Sequence, residues 1–377
     1  MTKKTLLIED LASEPLPSAI DPELPPIQEG EVSFTDAMRD CVALLNKFVE
    51  MKPEQAIVTS LWAAATWFVD EFEFVPYLLI TSKTKECGKS RLLQCLSLLV
   101  KKPTKVSDIT PAATFRLLSK ETRTLLLDEV DQYLLYREGF FSILNDGNAR
   151  GNDICRTATN ARGGFTDDLK KYYSFGFKAV AGIKAEKIKD TLTSRSIVIQ
   201  LRKKECTGEA RIKTKHYESE FAALRSRFYT LSLRYGQKVQ ELTDSGTIKF
   251  PRNFHFSGRD IDKFEPLWAL LNCMADKKTQ KVCKEACRRC TEQMVASSEK
   301  ALLLNIYKIV ENIQQESIKT LDLLDKLHLV PEWRDLSPKK LGDILDTFQV
   351  KSHHIWRENN ARGYFVNQLK QAYFENK

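Results

Sequence analysis

Gly88-Lys89-Ser90 and Asp128-Glu129 are the residues whose types and spacing can do chemistry together. The first triplet closes the stretch Tyr77-Leu78-Leu79-Ile80-Thr81-Ser82-Lys83-Thr84-Lys85-Glu86-Cys87-Gly88-Lys89-Ser90, and Arg91-Leu92-Leu93 then opens an apolar-periodic run. Apolar strand, polar loop, Gly-Lys-Ser and helix make the layout of a phosphate-binding P-loop. Backbone N–H groups of Lys85, Glu86, Cys87 and Gly88, with the helix start at Arg91, would surround an anionic phosphate chain. The Lys89 ammonium would bridge the β- and γ-phosphates of ATP, and the Ser90 hydroxyl would ligate Mg²⁺. The first glycine of the usual motif would fall at position 83, where this chain has Lys83.

The second group ends the apolar run Thr124-Leu125-Leu126-Leu127, about 40 residues further on. Asp128 suits a Mg²⁺ ligand acting through water, and Glu129 suits the base that polarises the attacking water. Alone, two acids after a core strand could simply cap the next helix, and Gly-Lys-Ser recurs by chance. The order and separation of the two groups favour an ATP-hydrolysing site. A third group is Arg195, in Asp190-Thr191-Leu192-Thr193-Ser194-Arg195-Ser196, just before the buried-looking run Ile197 to Leu201. An arginine fixed at a helix-to-strand corner can reach a neighbouring subunit's γ-phosphate as an arginine finger. A surface salt bridge is the competing use of that side chain.

Positioning these groups requires strands that end where the groups stand. Strands are expected near 77–81, 104–109, 124–128, 177–183 and 196–202, with helices near 88–101 and 111–120. Such alternation argues a parallel α/β sheet, on which ligands bind at the carboxyl ends of strands. Between the third and fourth strands, residues 146–175 read as a β-hairpin with a Gly163-Gly164 turn. Arg162, Lys170 and Lys171 would meet DNA phosphates there, and Phe165 or Tyr172 would stack on bases. A solvated hairpin that happens to be basic remains the alternative.

The flanking segments divide the chain into five parts. Residues 1–32 read as a flexible acidic tail. Residues 33–75 carry two helices, with apolar faces through Met38, Val42, Leu45 and Phe48, then Ile57, Leu61 and Phe68. Residues 76–205 form the sheet core, and 206–300 are mainly helical. Cys283, Cys287 and Cys290 sit at helical spacing and mark one face of a helix, which favours buried thiols over a metal site. Residues 301–377 read as three helices and a β-wing: Leu302 to about Gln314, Thr320 to Leu327, and a third begun by Ser337-Pro338. That is a winged-helix pattern, with Lys339, Lys340, Lys351, Arg357 and Arg362 as DNA contacts; winged helices also serve as protein adaptors.

Composition sets bounds. The chain has 377 residues, 42% hydrophobic and 29% charged, enough for two or three domains. No apolar run is long enough to span a membrane, and the N-terminus lacks the apolar core of a signal peptide. Nine cysteines without a regular framework suit a reducing cytoplasm. Net charge is +8, and residues 1–40 hold nine acids against three bases, so the body is more basic than the whole. A basic body permits a polyanionic partner such as DNA without requiring one.

With these residues in view, the chain resembles the AAA-like P-loop ATPases of phages, plasmids and integrated mobile elements, often found beside primase or Toprim modules. The resemblance covers about residues 35–377. It rests on Leu61-Trp62-Ala63, Leu79-Ile80-Thr81-Ser82, Cys87-Gly88-Lys89-Ser90-Arg91-Leu92-Leu93, Thr110-Pro111-Ala112-Ala113, Leu126-Leu127-Asp128-Glu129 and Leu144-Asn145-Asp146-Gly147. Lys178-Ala179-Val180-Ala181-Gly182-Ile183 and, most specifically, Asp190 to Ile197 complete it. That family's phosphate loop also lacks the first glycine. The resemblance implies an AAA+-type core, a helical lid and a C-terminal winged helix. It also implies a homo-oligomeric ring, ATP-driven work on DNA, and a primase supplied by a partner. Arg259, in Gly258-Arg259-Asp260, matches the lid arginine that senses the γ-phosphate in relatives. Ala181-Gly182-Ile183 departs from the pattern by lacking a polar sensor residue. An ATP-gated loader or antiphage-defence switch with little unwinding, and a DNA adaptor with a vestigial ATP site, are the other readings.

Overall fold

A computed structural model describes residues 24–82, 84–106, 109–130, 138–159, 165–182, 190–203, 213–251, 254, 256–330, 333–355 and 361–376. Two helices come first, α1 (Phe34–Phe48) and α2 (Pro53–Ala65). Ser33 caps α1 by accepting from the Asp36 N–H, and Pro53 opens α2 where its missing N–H has no helical partner to lose.

The centre is a five-stranded sheet. Its strands are β1 (Tyr77–Ser82), β2 (Pro103–Val106), β3 (Thr124–Leu127), β6 (Lys178–Ala181) and β7 (Ser196–Leu201), in the order β2-β3-β6-β1-β7. Every pairing in it is parallel. β1, β3 and β6 are buried along their whole length, as a sheet covered on both faces demands. Alternation sorts their side chains. Leu78, Ile80, Leu126, Ala179 and Ala181 face one core, with Leu92, Leu93 and Leu96 of α3 (Lys89–Ser97). Tyr77, Leu79, Leu125, Leu127 and Val180 face the other core. There they meet α4 (Pro111–Lys120), α5 (Glu138–Asp146) and α6 (Asp190–Arg195) through Phe115, Phe140 and Leu192. β4 (Asp153–Thr159) and β5 (Phe165–Tyr173) form the hairpin read from the sequence.

Three long helices follow: α7 (Glu218–Asp244), α8 (Gly258–Met274) and α9 (Lys277–Val310). They do not stand apart from the N-terminal segment. Phe221, Phe228, Phe264, Trp268 and Cys287 share one core with α1, α2 and a face of the sheet. The segment expected to end at residue 32 as a free tail is strapped to α7: Gln28 N–H donates to Thr230 Oγ1 (2.8 Å), and Ser226 Oγ donates to the Pro26 carbonyl (2.5 Å). α9 is continuous across residues 300 and 301, so the helix expected to start at Leu302 is its last part. Leu302, Leu303, Ile306 and Val310 there build a second core with α10 (Thr320–Leu327), α11 (Pro338–Thr347) and α12 (Val366–Asn376). A three-stranded antiparallel sheet, β8 (Ser317–Lys319), β9 (His353–Ile355) and β10 (Ala361–Phe365), completes it, with β10 in the middle. Among the described residues no helix is long and apolar enough to cross a membrane.

Candidate functional site

The loop after β1 is drawn together by its own side chains. Lys89 Nζ donates to Ser82 Oγ (2.6 Å), and Ser82 Oγ donates to the Thr84 carbonyl (2.6 Å). Cys87 is buried beneath the turn, its Sγ bonded to the Thr84 carbonyl at 3.3 Å and lying 3.2 Å from Thr84 Oγ1. Gly88 is the N-cap of α3 at φ +88°, a left-handed conformation that glycine adopts without a Cβ penalty. Glu86 is left-handed too (φ +62°), which costs energy for a residue with a Cβ. Lys85, Glu86 and Ser90 are exposed, and Arg91 is half-buried with Nη1 at 3.5 Å from Gln94 Oε1. The loop and the first turn of α3 thus present backbone N–H groups, one ammonium and one hydroxyl at the carboxyl end of β1. Lys83 lies outside the described residues.

The acids stand two strands away at the same edge. Leu79, Val180 and Leu127 fall on one rung across β1, β6 and β3. Asp128 therefore follows β3 level with the end of β1, at a strand separation of about 10 Å. Asp128 is nearly buried and its N–H donates to the Val106 carbonyl (3.1 Å). Glu129 is exposed at φ +52°, with its N–H donating to Asp128 Oδ1 (3.1 Å). Between them β6 ends in Ala181 and Gly182, which bring no polar side chain. The chain leaves β1 for α3 on one face and leaves β6 for α6 on the other. Neighbouring strands with diverging connections open a crevice at their carboxyl ends.

Arg195 and Arg259 occupy the opposite end. Arg195 immediately precedes Ser196, which pairs with Tyr77 at the start of β1. Its Nε donates to Asn148 Oδ1 (3.0 Å). Arg259, in the first turn of α8, lines the same small cleft with Val75, Asn148, Asp262 and Lys263. Six residues of β1, roughly 17 Å, separate this cleft from the chain's own Lys89 loop. The expected placement of Arg259 beside its own phosphate loop is therefore corrected: α8 packs its start against the amino ends of the strands. Burial, and then the charge of Arg259, hold the Arg195 guanidinium below its usual value.

The hairpin is rooted at that same end. Lys178, fully buried as the first residue of β6, donates to the carbonyls of Ser174 (2.7 Å), Gly176 (3.0 Å) and Gly147 (3.1 Å). A Cβ on Gly147 would stand 2.6 Å from the Ile143 carbonyl, so only glycine allows this approach. Lys171 and Tyr173 are exposed on one side of β5, whereas Tyr172 turns inward onto Phe115, ring centres 5.5 Å apart. Alternation along the strand thus exchanges the expected Tyr172 for Tyr173 as the accessible aromatic. Arg162 lies outside the described residues, as do Arg357 and the side chain of Lys170. Lys339 and Lys340 are exposed on α11, and Arg362 and Lys351 are exposed around β9 and β10. Asp343 and Asp346 are exposed on α11 too, so that helix presents a mixed charge.

Residues 198–375, a little under half of the chain, match a family described as "Protein of unknown function (DUF3631)". That range begins after Lys89, Asp128, Glu129 and Arg195. No curated protein matches the chain. Among solved structures it is similar to the apo A form of the NrS-1 C-terminal region, at 13% identity over 91% of this chain and 77% of that one, with a TM-score of 0.36. It is also similar to a DNA polymerase III gamma subunit-related protein of Thermotoga maritima, at 9% identity over 83% of this chain and 98% of that one, with a TM-score of 0.24. Likenesses this distant carry no argument, and the site is read from its own residues.

Ser82, Thr84, Asn148 and Tyr173 were not singled out from the sequence. Ser82 and Thr84 carry a signal in retrospect, being hydroxyl residues where β1 gives way to the loop. Asn148 carries none, because its partner Arg195 is 47 residues distant.

Proposed function

We propose that this chain is a Mg²⁺-dependent ATPase of AAA+ type with a P-loop, working on DNA as a homo-oligomeric ring. The observation that carries the reading is the pairing, at one sheet edge and across β6, of the Lys89 loop with Asp128-Glu129. Glu86 and Glu129 are two of the four described non-glycine residues with positive φ, and both flank this crevice. Backbone strain of this kind collects at functional sites.

In this reading the loop N–H groups hold the phosphates and Lys89 leaves Ser82 for the β- and γ-phosphates. Mg²⁺, held by Ser90 and through water by Asp128, would neutralise developing phosphate charge. The donors fit that ion, which keeps several waters and takes one or two protein ligands beside phosphate oxygens. No group of three or more His, Cys, Asp or Glu converges among the described residues, and Mg²⁺ so bound requires none. Glu129 takes a proton from water as the water oxygen bonds to the γ-phosphorus. The bond from that phosphorus to the β-γ bridging oxygen breaks, and ADP leaves with its electron pair. Arg195, too far from its own loop, stabilises the charge on a neighbour's nucleotide. Lys171, Tyr173 and the exposed lysines of α11, which would serve as the third helix of a winged helix, support DNA as the partner.

Glu129→Gln is the test. Turnover should fall about 10²–10⁴-fold while ATP still binds. Unchanged turnover would remove Glu129 from the chemistry. A second reading, an ATP-gated assembly switch, is favoured by the absence of a polar side chain at Ala181 and Gly182. ATP-dependent assembly with turnover indifferent to DNA would select it.

A further inference from the structure

The cleft that holds Arg195 and Arg259 is built for an anion that this chain's own loop cannot bring there. Arg259 is exposed, and a Cβ added at neighbouring Gly258 would meet nothing within 4 Å, so the mouth is open. Arg195 forms the half-buried floor, oriented by Asn148. Lys263, also on the wall, is paired with Asp260 at 2.8 Å. Asp262 is the one carboxylate among the lining residues, set against two guanidinium groups. The first turn of α8, with Ser257 as its N-cap, adds the positive end of a 17-residue helix. Two arginines converging beside a helix N-terminus match the geometry and charge of a phosphate.

We propose that Arg195 and Arg259 form one clamp for the terminal phosphate of a nucleoside triphosphate bound in the Lys89 loop of a second copy of this chain. The inference rests on the ATPase reading and extends it. Arg259 works in trans beside Arg195, not in cis as a sensor of its own nucleotide. The clamp makes no covalent bond; it takes up charge as the γ-phosphoryl group transfers to water. Asn148 is a positioning residue that keeps Arg195 aimed at the cleft. A loop at one end of the sheet and a clamp at the other also make the contact head-to-tail, the kind that closes into a ring.

The experiment uses the full chain, Mg²⁺ and ATP, with Arg259→Ala and Lys89→Ala variants prepared singly and co-expressed. Arg259→Ala should bind ATP as tightly as the wild type yet hydrolyse it at least about tenfold more slowly. Neither variant alone turns over appreciably. Co-expression should restore about a quarter of the wild-type rate, because about one interface in four then joins an intact loop to an intact clamp. Weakened ATP binding by Arg259→Ala, wild-type turnover by that variant, or a co-expressed mixture as slow as its parents would each overturn the clamp. A wild-type chain that neither binds nor hydrolyses ATP would overturn the ATPase reading itself, and is told apart because Lys89→Ala would then change nothing. Arg259→Lys, measured beside these, keeps the charge without the planar fork and should recover only part of the rate.

Discussion

Asn148 accepts a hydrogen bond from Arg195 at 3.0 Å, and that contact joins the root of the hairpin to the corner before β7. Asn148 follows Gly147, whose carbonyl receives the buried Lys178 ammonium together with those of Ser174 and Gly176. The hairpin base, the start of β6 and the arginine cleft are therefore one hydrogen-bonded unit. A force on the hairpin has a direct route to Arg195.

Lys178 makes that unit sensitive to pH. Burial pushes its ammonium down to about 7 from an ordinary 10.5, against the pull of three carbonyls and the Tyr77 ring face at 4.8 Å. Between those two pH values the unfolded chain binds more protons than the folded one, so stability rises with pH in that window. Denaturant unfolding at pH 7 and pH 8.5 should show a gain of at most roughly 1 kcal/mol per pH unit. The range stops there because the buried thiols Cys41, Cys95, Cys283 and Cys290, pushed up to about 12, act with the opposite sign once unfolded thiols ionise. In Lys178→Met the gain should vanish; a slope unchanged in that variant would assign it to other groups.

Gly88 should be irreplaceable for conformational reasons alone. A Cβ there would meet Val49 Cγ1 at an ordinary 3.5 Å, so space is not the obstacle; φ +88° is. Gly88→Ala should lower stability by about 1–2 kcal/mol, and Gly88→Asn by less, since Asn visits the left-handed region more readily. Equal melting temperatures for the two variants would show that steric contact, not φ, sets the cost.

The two tyrosines ending β5 should separate binding from packing. Tyr173→Ala should weaken single-stranded DNA binding by about 1–3 kcal/mol, the worth of one stacked base, with little effect on stability. Tyr172→Ala should do the reverse, because its ring packs on Phe115. Retained affinity in Tyr173→Ala would take DNA off this face of the hairpin.

How far the sequence could be read follows from what each feature depends on. The parallel sheet, its five strands and the hairpin were legible because buried strands read as continuous apolar runs and turns as Gly-Gly. Gly88, Lys89, Ser90, Asp128 and Glu129 were legible as a site because their relation is carried by local order along the chain. Arg259 was misplaced because its position depends on how α8 packs against the sheet, a contact over more than 60 residues in sequence from Arg195. The start of the last unit was misjudged because α9 keeps helical periodicity straight through residue 301, with no glycine or proline to mark a break. The strap at Pro26 to Gln28 was missed because its bonds reach α7 some 200 residues away.

Steady-state ATP hydrolysis by the full chain, with and without single-stranded DNA and with Lys89→Ala as the blank, bears most directly on the central claim. Turnover that requires Mg²⁺, rises with DNA and disappears in Lys89→Ala is the predicted result. A wild-type rate no higher than that of Lys89→Ala, at millimolar ATP, would contradict it.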